Sequence, residues 1–584
     1  MIQPDMLKNF LRNARYWKLL SFRKFIYFPR ILSTTEKGAL FILLALIFLS
    51  GGNLGLRIYW KLTEVMPQVG GSYREGILHE PRYLNPVFAT QDADRDLVRL
   101  VFSSLFTYSG DGALKPELAE RYEVGPDAKI YTIFLRRGIK WHDGKLVSAD
   151  DVVFTIQLAQ NPQYHSPHRT NWQGVSVEKI DDYTVRLVLR TPYAQFVENL
   201  TFGIIPKHLW QGISPEQALL HELNLKPVGS GPYKFSRLKQ NKDGSIISYE
   251  LVRNSNYFLE GPYLKNLTFI FLKTEEEAIQ ALRRGRIEGF GPISPLNLKN
   301  LREFTRLESI NMPRIFGVFF NKKQSPLLEN KLIREAIAEA INKQSLASSI
   351  NSGGVVATDS PLPPGSAGYT NDITIYGYHP EKSREILESL GWKDVDGNGI
   401  RERKKREKLK EVQEELRFTL VTSDWPDLVK SAEIIKEQLK EVGIAILIEV
   451  KPFNELEMNV LRPRNFEMLL FGEVYGYESD PFSFWHSSQI KDPGLNISLF
   501  VNKEIDKLLE EARKTVDADT RNKKYNEFQK QISRELPAIF LYSQLYLYLL
   551  PSDIQGVNLK KISLPSDRFN EIHKWYRETK RVFK

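Results

Sequence analysis

The segment from Tyr131 to Gln157, YTIFLRRGIKWHDGKLVSADDVVFTIQ, constrains the fold more than any other stretch of this chain. Tyr131, Ile133 and Leu135 alternate with Thr132, Phe134 and Arg136, the period of two that a half-buried strand requires. Gly138 and the His142-Asp143-Gly144 corner punctuate the run as turns. Ser148 stands three residues before Asp151, the spacing of a capping box. The pattern therefore predicts a helix from about Ala149 with Val152, Val153, Ile156 and Ala159 on its buried face. Further along, strand patterns at Ile246 to Arg253 and Leu267 to Leu272 precede a helical run from Glu275 to Arg284, and the two periods alternate from 317 to 542. This is the mixed order of an α/β fold, with no repeat at solenoid spacing.

The N-terminal end sets topology. Gly38 to Leu56 (GALFILLALIFLSGGNLGL) carries no charge and is long enough to cross a bilayer as a helix. Eight Lys or Arg precede it against only Asp5 and Glu36, so the positive-inside rule keeps 1–37 cytoplasmic and exports everything after Arg57. That arm accounts for most of the formal charge of +10. The exported part is close to neutral, and the basic balance is no sign of nucleic-acid binding. The long arm, with Leu54, Leu56 and Ile58 following the glycines, favours an uncleaved signal anchor over a cleaved leader. The aromatic and basic residues between Leu7 and Phe28 suit either an interfacial helix on an anionic leaflet or a solvated arm. The chain has no cysteine, which excludes disulfides, thiolate metal sites and a lipid on an N-terminal cysteine.

The signature segment resembles its counterpart in the family 5 extracellular solute-binding proteins, the peptide- and nickel-type receptors of ABC importers. The resemblance recurs in family order along the exported chain. It runs through Leu84-Asn85-Pro86, Pro227 to Tyr233 (PVGSGPY), Asn254 to Phe269 and Ala281 to Gly289 (ALRRGRIEG). It continues from Phe319-Phe320-Asn321 to Ile341, Gly391 to Gly399 (GWKDVDGNG), Ser479 to Phe482 (SDPF) and Leu536 to Tyr542 (LPAIFLY). It implies a periplasmic binding protein-like fold, two lobes with a hinge plus an inserted subdomain, preceded by one transmembrane helix. The expected division is a basic arm 1–37, an anchor 38–58 and a linker 59–69. Domain I would comprise 70–108, 226–316 and 543–584; domain II would be 109–225 and domain III 317–542, with two strands crossing between I and III as the hinge. The implied function is capture of peptides outside the membrane and delivery to a permease with its ATPase subunits, by a monomer with no cofactor and no enzymatic step. A sensor on the same fold, or a receptor for an oligosaccharide, opine or metal chelate, is the alternative.

No GxxxxGK[ST], HExxH or GxSxG motif occurs, so neither nucleotide hydrolysis nor these common hydrolytic sites are signalled. Among the nine histidines only His165 and His168 lie close, and their Ser-Pro-Arg surroundings read as a loop. Asp394 to Gly399 (DVDGNG) matches the opening of a calcium loop, but the twelfth position is Lys405 where an EF-hand needs a carboxylate, so the segment reads as a turn and no metal is expected. Arg401 to Glu415 reads as a solvated helix or linker.

A receptor that pairs with a peptide backbone needs a strand end, aromatic walls and charges for the termini. Phe466 to Phe471 reads as such a strand, ended by Gly472 and followed by a loop with Tyr475, Tyr477, Glu478, Asp480 and Trp485. The resemblance implies that this loop faces the ligand cleft. It also implies an amine-binding aspartate four positions before Pro481, where this chain has Tyr477; Glu478 or Asp480 is the expected substitute. Phe453 and Arg462 fall near an aromatic and a carboxylate-binding position of relatives, and Phe319 and Asn321 beside the hinge, completing the candidate ligand set.

Overall fold

The computed structural model describes residues 33–294, 305–350, 354–407 and 410–584. Most of the basic arm, including its expected interfacial segment, lies outside the described residues. The described residues up to Gln68, with 579–584, form one compact unit and 69–578 another.

In the smaller unit, Thr34–Leu62 is one continuous helix, opened by a capping box between Ser33 and Glu36, with none of its side chains buried. Apolar residues exposed all round suit a lipid environment and not a protein core. The helix passes directly into the strand Thr63–Gln68, which pairs with the C-terminal strand Glu578–Phe583. Arg581 ties the two together: its guanidinium lies over the Trp60 ring at 3.9 Å and donates to Thr63 Oγ1 at 2.9 Å. Lys584 N donates to Leu62 O at 2.9 Å.

The larger unit is organised on an eleven-stranded mixed sheet. From one edge its order is Ala445–Lys451, Arg417–Ser423, Met468–Val474, Thr305–Phe320, Ala538–Pro551, Gly289–Phe290, Gly70–Leu78, Leu264–Leu272, Ile246–Arg253 and Tyr233–Gln240, with Val355–Ala357 also on Ala538–Pro551. The two long strands pair antiparallel from Thr305 opposite Pro551 to Phe319 opposite Ala538, with irregularities between Asn311 and Ile315 and between Phe316 and Gly317. One core gathers Tyr73, Leu97, Phe269, Tyr548 and Trp575 with the aromatics of the inserted segment, Tyr131, Trp141 and Trp172. Two others flank the opposite end of the long strands, around Phe320, Trp392 and Phe418 and around Phe319, Trp485 and Phe528.

The signature segment forms as its pattern predicts. Ile130–Leu135 is the second strand of a four-stranded antiparallel sheet, and the helix Ala149–Gln160 is capped by Ser148 and Asp151 with Val152, Ile156 and Ala159 buried. Glu275–Arg283 is helical and buries Ala278, Ile279 and Leu282. Two expectations need correction. Gly472 does not end its strand, which runs Met468–Val474; a Cβ there would meet the Phe316 ring at 2.6 Å, so the glycine admits that ring. The run Arg401 to Glu415 is not a helix but the hairpin Glu402–Glu407 with Lys410–Glu415, in which Arg403 opposes Glu414 and pairs with it at 2.9 Å. Mixed charges at helical spacing also satisfy cross-strand pairing.

Beneath the sheet lies a buried ion network. Arg568, 1% exposed, grips both oxygens of Asp96 at 2.8 and 2.6 Å and reaches Glu75 Oε1 at 3.1 Å, while Tyr548 donates to Glu75 Oε2 at 2.9 Å. The network joins the first strand, the helix Asp92–Val101 and the C-terminal segment. Removing the cation would leave two buried carboxylates without their partner. Arg568→Met is expected to cost about 3–5 kcal/mol in urea unfolding, whereas Arg237→Met, at an exposed pair with Glu250, is expected to change stability by less than about 1 kcal/mol.

Candidate functional site

After Met468–Val474 the chain leaves the sheet with Tyr475 N donating to Pro313 O at 2.8 Å, and the loop from 475 to 480 is held at every residue that could bear function. Tyr475 is buried; its hydroxyl donates to Glu473 at 3.0 Å and accepts from Trp485 Nε1 at 3.3 Å. Trp485 stacks on Phe319 with ring centroids 6.3 Å apart. Asn321 donates to Arg464 O at 2.8 Å and accepts from Lys323 N. Tyr475, Trp485, Phe319 and Asn321 are buried, large aromatics and a fully bonded amide filling the space between helices and sheet.

Asp480 accepts two bonds from Arg513, at 2.8 and 2.6 Å, and caps Phe482 N at 3.1 Å. Glu478 faces Arg521 at 3.4 Å. Both carboxylates have arginine partners. Phe453 is about half exposed and packs against Phe471, and Arg462 is exposed and paired with Glu457 at 2.8 Å. Neither lines the two cavities described next.

Tyr477 does line a cavity. Its ring lies face to face with Tyr108, centroids 3.8 Å apart and 18° from parallel, and its carbonyl accepts from Lys561 Nζ at 3.0 Å. The cavity of about 300 Å³ beside it is walled by Arg95, Arg99, Tyr108, His168, Trp172, Glu198, Phe202 and Asp567 among others. Among the described residues the Tyr108 hydroxyl has no hydrogen-bond partner, while the Tyr477 hydroxyl lies beside Asp567. His168 sits here neutral, since burial first and Arg95 second push its pKa down to about 4. A second cavity, of about 1150 Å³, lies against another face of the helix Asp92–Val101, which carries Arg95 and Arg99 of the first, with Thr90 to Ala93, Asp96, His79, Glu80, Lys273 and Arg568 on its walls.

Glu198, from the 3₁₀ helix Ala194–Thr201, is the residue that sequence reading missed. Its Oε1 accepts the Glu478 N–H at 3.2 Å, and a Cβ on Gly476 would meet that same oxygen at 2.1 Å, so the glycine lets the carboxylate approach the loop. Burial pushes its pKa up to about 7 against the pull of the Glu478 and Tyr477 N–H groups, with the Glu478 and Asp480 charges adding to the rise. No local motif marks Glu198, because the partners that define it lie some 280 positions away.

A sequence profile described as bacterial extracellular solute-binding proteins, family 5 middle, matches residues 113–492. The chain belongs to this family. The oligopeptide-binding protein AppA of Bacillus subtilis is 29% identical over 541 residues, covering 91% of this chain and 96% of AppA. The structure of that protein in complex with a nonapeptide superposes with a TM-score of 0.67 at 28% identity, covering 88% of this chain and 99% of the other. NikZ of Campylobacter jejuni, solved in complex with Ni(L-His), gives a TM-score of 0.67 at 25% identity over 86% of this chain and 99% of NikZ. This family 5 protein therefore shares a receptor fold whose relatives take ligands as different as a nonapeptide and a metal chelate.

Glu473, buried beneath the loop, has its pKa raised to about 8 by burial, the bonds from Tyr475 and Trp485 opposing the rise. It holds its proton in the folded state while the unfolded chain releases it above pH 4.5, so its stabilisation is complete below about pH 4.5 and declines as pH rises through about 8. Unfolding free energies measured from pH 5 to 8 are expected to fall less steeply with pH in Glu473→Gln than in the parent.

Proposed function

We propose that this protein captures peptides on the extracytoplasmic side of the membrane and presents them to the permease of an ABC importer. Capture is by binding and lobe closure, with no covalent step. The observation that carries the reading is the Glu198 carboxylate in the wall of the 300 Å³ cavity, beside the stacked Tyr108 and Tyr477. The Glu198 carboxylate has its pKa raised to about 7 by burial and forms no ion pair among the described residues, Lys561 acting on it and on Glu478 only at longer range, and a peptide α-ammonium is a cation of the right size to pair with it. Glu198 takes the place of the aspartate absent at Tyr477, with the aromatic pair packing against the first residue of the ligand.

The lobes proposed for closure are domain I (70–108, 226–316, 543–584) with the insert 109–225, and domain III (317–542). The strands Thr305–Phe320 and Ala538–Pro551 serve as hinge, their irregular register near Asn311 to Ile315 supplying the bend. The helix Thr34–Leu62 is proposed as a retained anchor, N-terminus cytoplasmic, and Arg581, whose guanidinium lies over Trp60 in its last turn, supports retention.

Isothermal titration of the full-length protein in detergent tests the reading, with a short peptide mixture and the same peptides Nα-acetylated. Glu198→Gln is expected to weaken the free peptides about 10- to 100-fold, the worth of a hydrogen-bonded charge. Acetylated peptides should bind weakly to both forms. Because the ammonium needs the ionised carboxylate, affinity of the parent should rise from pH 6 to about 7.5 with proton release, and the variant should lose that dependence. Equal affinity of parent and variant for free peptides would remove Glu198 from the site.

A further inference from the structure

The nine residues from Asp394 to Glu402, DVDGNGIRE, follow the buried Trp392 and lead into the hairpin Glu402–Glu407. Their base is clamped: Lys393 N donates to Glu402 O at 3.1 Å and Glu402 N to Lys393 O at 2.9 Å. Arg401 beside it donates to Val442 O and Trp392 O, both at 2.9 Å, and to Glu388 at 3.1 Å. Within the loop, Gly397 and Gly399 take positive φ of 76° and 85°, and their N–H groups both point to the Asp394 carboxylate, at 2.8 and 3.0 Å.

This path brings one carboxylate oxygen each of Asp394, Asp396 and Glu402 within 4.8 Å of one another. Acidic side chains crowd on many protein surfaces, but Glu402 is only 3% exposed. One of its oxygens accepts Val395 N at 2.8 Å; the other, Oε2, has no hydrogen-bond partner. Among the described residues no Lys, Arg or His forms an ion pair with any of the three carboxylates. A buried carboxylate oxygen without a donor, next to two further negative charges, is costly in a medium of reduced dielectric. A hard divalent cation between them removes that cost.

We propose that the loop Asp394 to Glu402 is a calcium site, formed by side-chain oxygens of Asp394, Asp396, Asn398 and Glu402 and the carbonyl of Ile400. These stand at positions 1, 3, 5, 9 and 7 of the EF-hand spacing, with Gly399 at position 6 where that loop turns sharply. Lys405 at position 12 excludes the bidentate carboxylate of a full EF-hand. Glu402 at position 9 instead comes from a buried, clamped position, and water completes the shell. Fewer carboxylates place the affinity at roughly 0.1–1 mM, the range of extracellular calcium modules. Magnesium, which requires a near-ideal octahedron and sheds water reluctantly, fits such a loop poorly. The site is independent of the peptide reading and lies in a different part of the larger unit, where it fixes the start of the hairpin.

The test is calcium titration of the full-length protein in detergent after treatment with a chelator, followed by calorimetry and by thermal unfolding, with magnesium chloride alongside. One calcium per chain is expected, with an upward shift in Tm that magnesium does not reproduce at equal concentration. Asp396→Asn and Glu402→Gln are each expected to weaken calcium at least about tenfold, the loss of one charged ligand, while keeping the calcium-free Tm of the parent. Glu402→Gln retains an acceptor for Val395 N–H, so its fold is preserved. Absence of heat and of a Tm shift up to about 10 mM, well above the expected range, would overturn the proposal. So would an equal response to magnesium, or unchanged calcium affinity in both variants.

Discussion

Thr305–Phe320 and Ala538–Pro551 pair over almost their whole length, and the rest of the larger unit depends on that ladder. Met468–Val474 attaches to one side at Arg314 to Phe320, and Gly289–Phe290 joins the other through Leu549, so two sets of strands that belong to different cores become one sheet. The ladder is antiparallel and long, yet interrupted where Pro313 withdraws its N–H and its carbonyl is taken by Tyr475. The same interruption thus fixes the start of the 475–480 loop. Sheet continuity and site geometry are consequences of one irregular register.

The fold was legible where signals are local. The capping box at Ser148 and Asp151 and the alternation from Tyr131 act over a few residues, and the structure forms both. The run from Arg401 to Glu415 misled because periodicity of charge does not distinguish a solvated helix from a hairpin when Arg403 meets Glu414 across strands. The site was less legible. Sequence places Tyr475, Trp485 and Phe319 near the right strand, but their exposure is decided by partners far along the chain, and all three are buried. Glu198 became visible only once the fold set it against the Glu478 N–H.

Charge compensation connects these observations. Arg568 with Glu75 and Asp96, and Arg513 with Asp480, are buried or half-buried charges that the chain itself satisfies, and such groups hold structure in place. Glu198 and Glu402 are different: among the described residues Glu198 is a protected carboxylate in no ion pair, and Glu402 has a buried oxygen with no hydrogen-bond partner. An exported receptor meets both peptide ammonium groups and divalent cations, and each of these carboxylates has the surroundings suited to one of them.

The most direct test of the central claim is native mass spectrometry of the full-length protein, extracted from membranes of cells grown in peptide-rich medium and released gently from detergent. The account predicts a ladder of bound masses that resolves into short peptides with free α-amino groups. A single non-peptide mass, or a cleft that stays empty when peptide libraries are added, would contradict it.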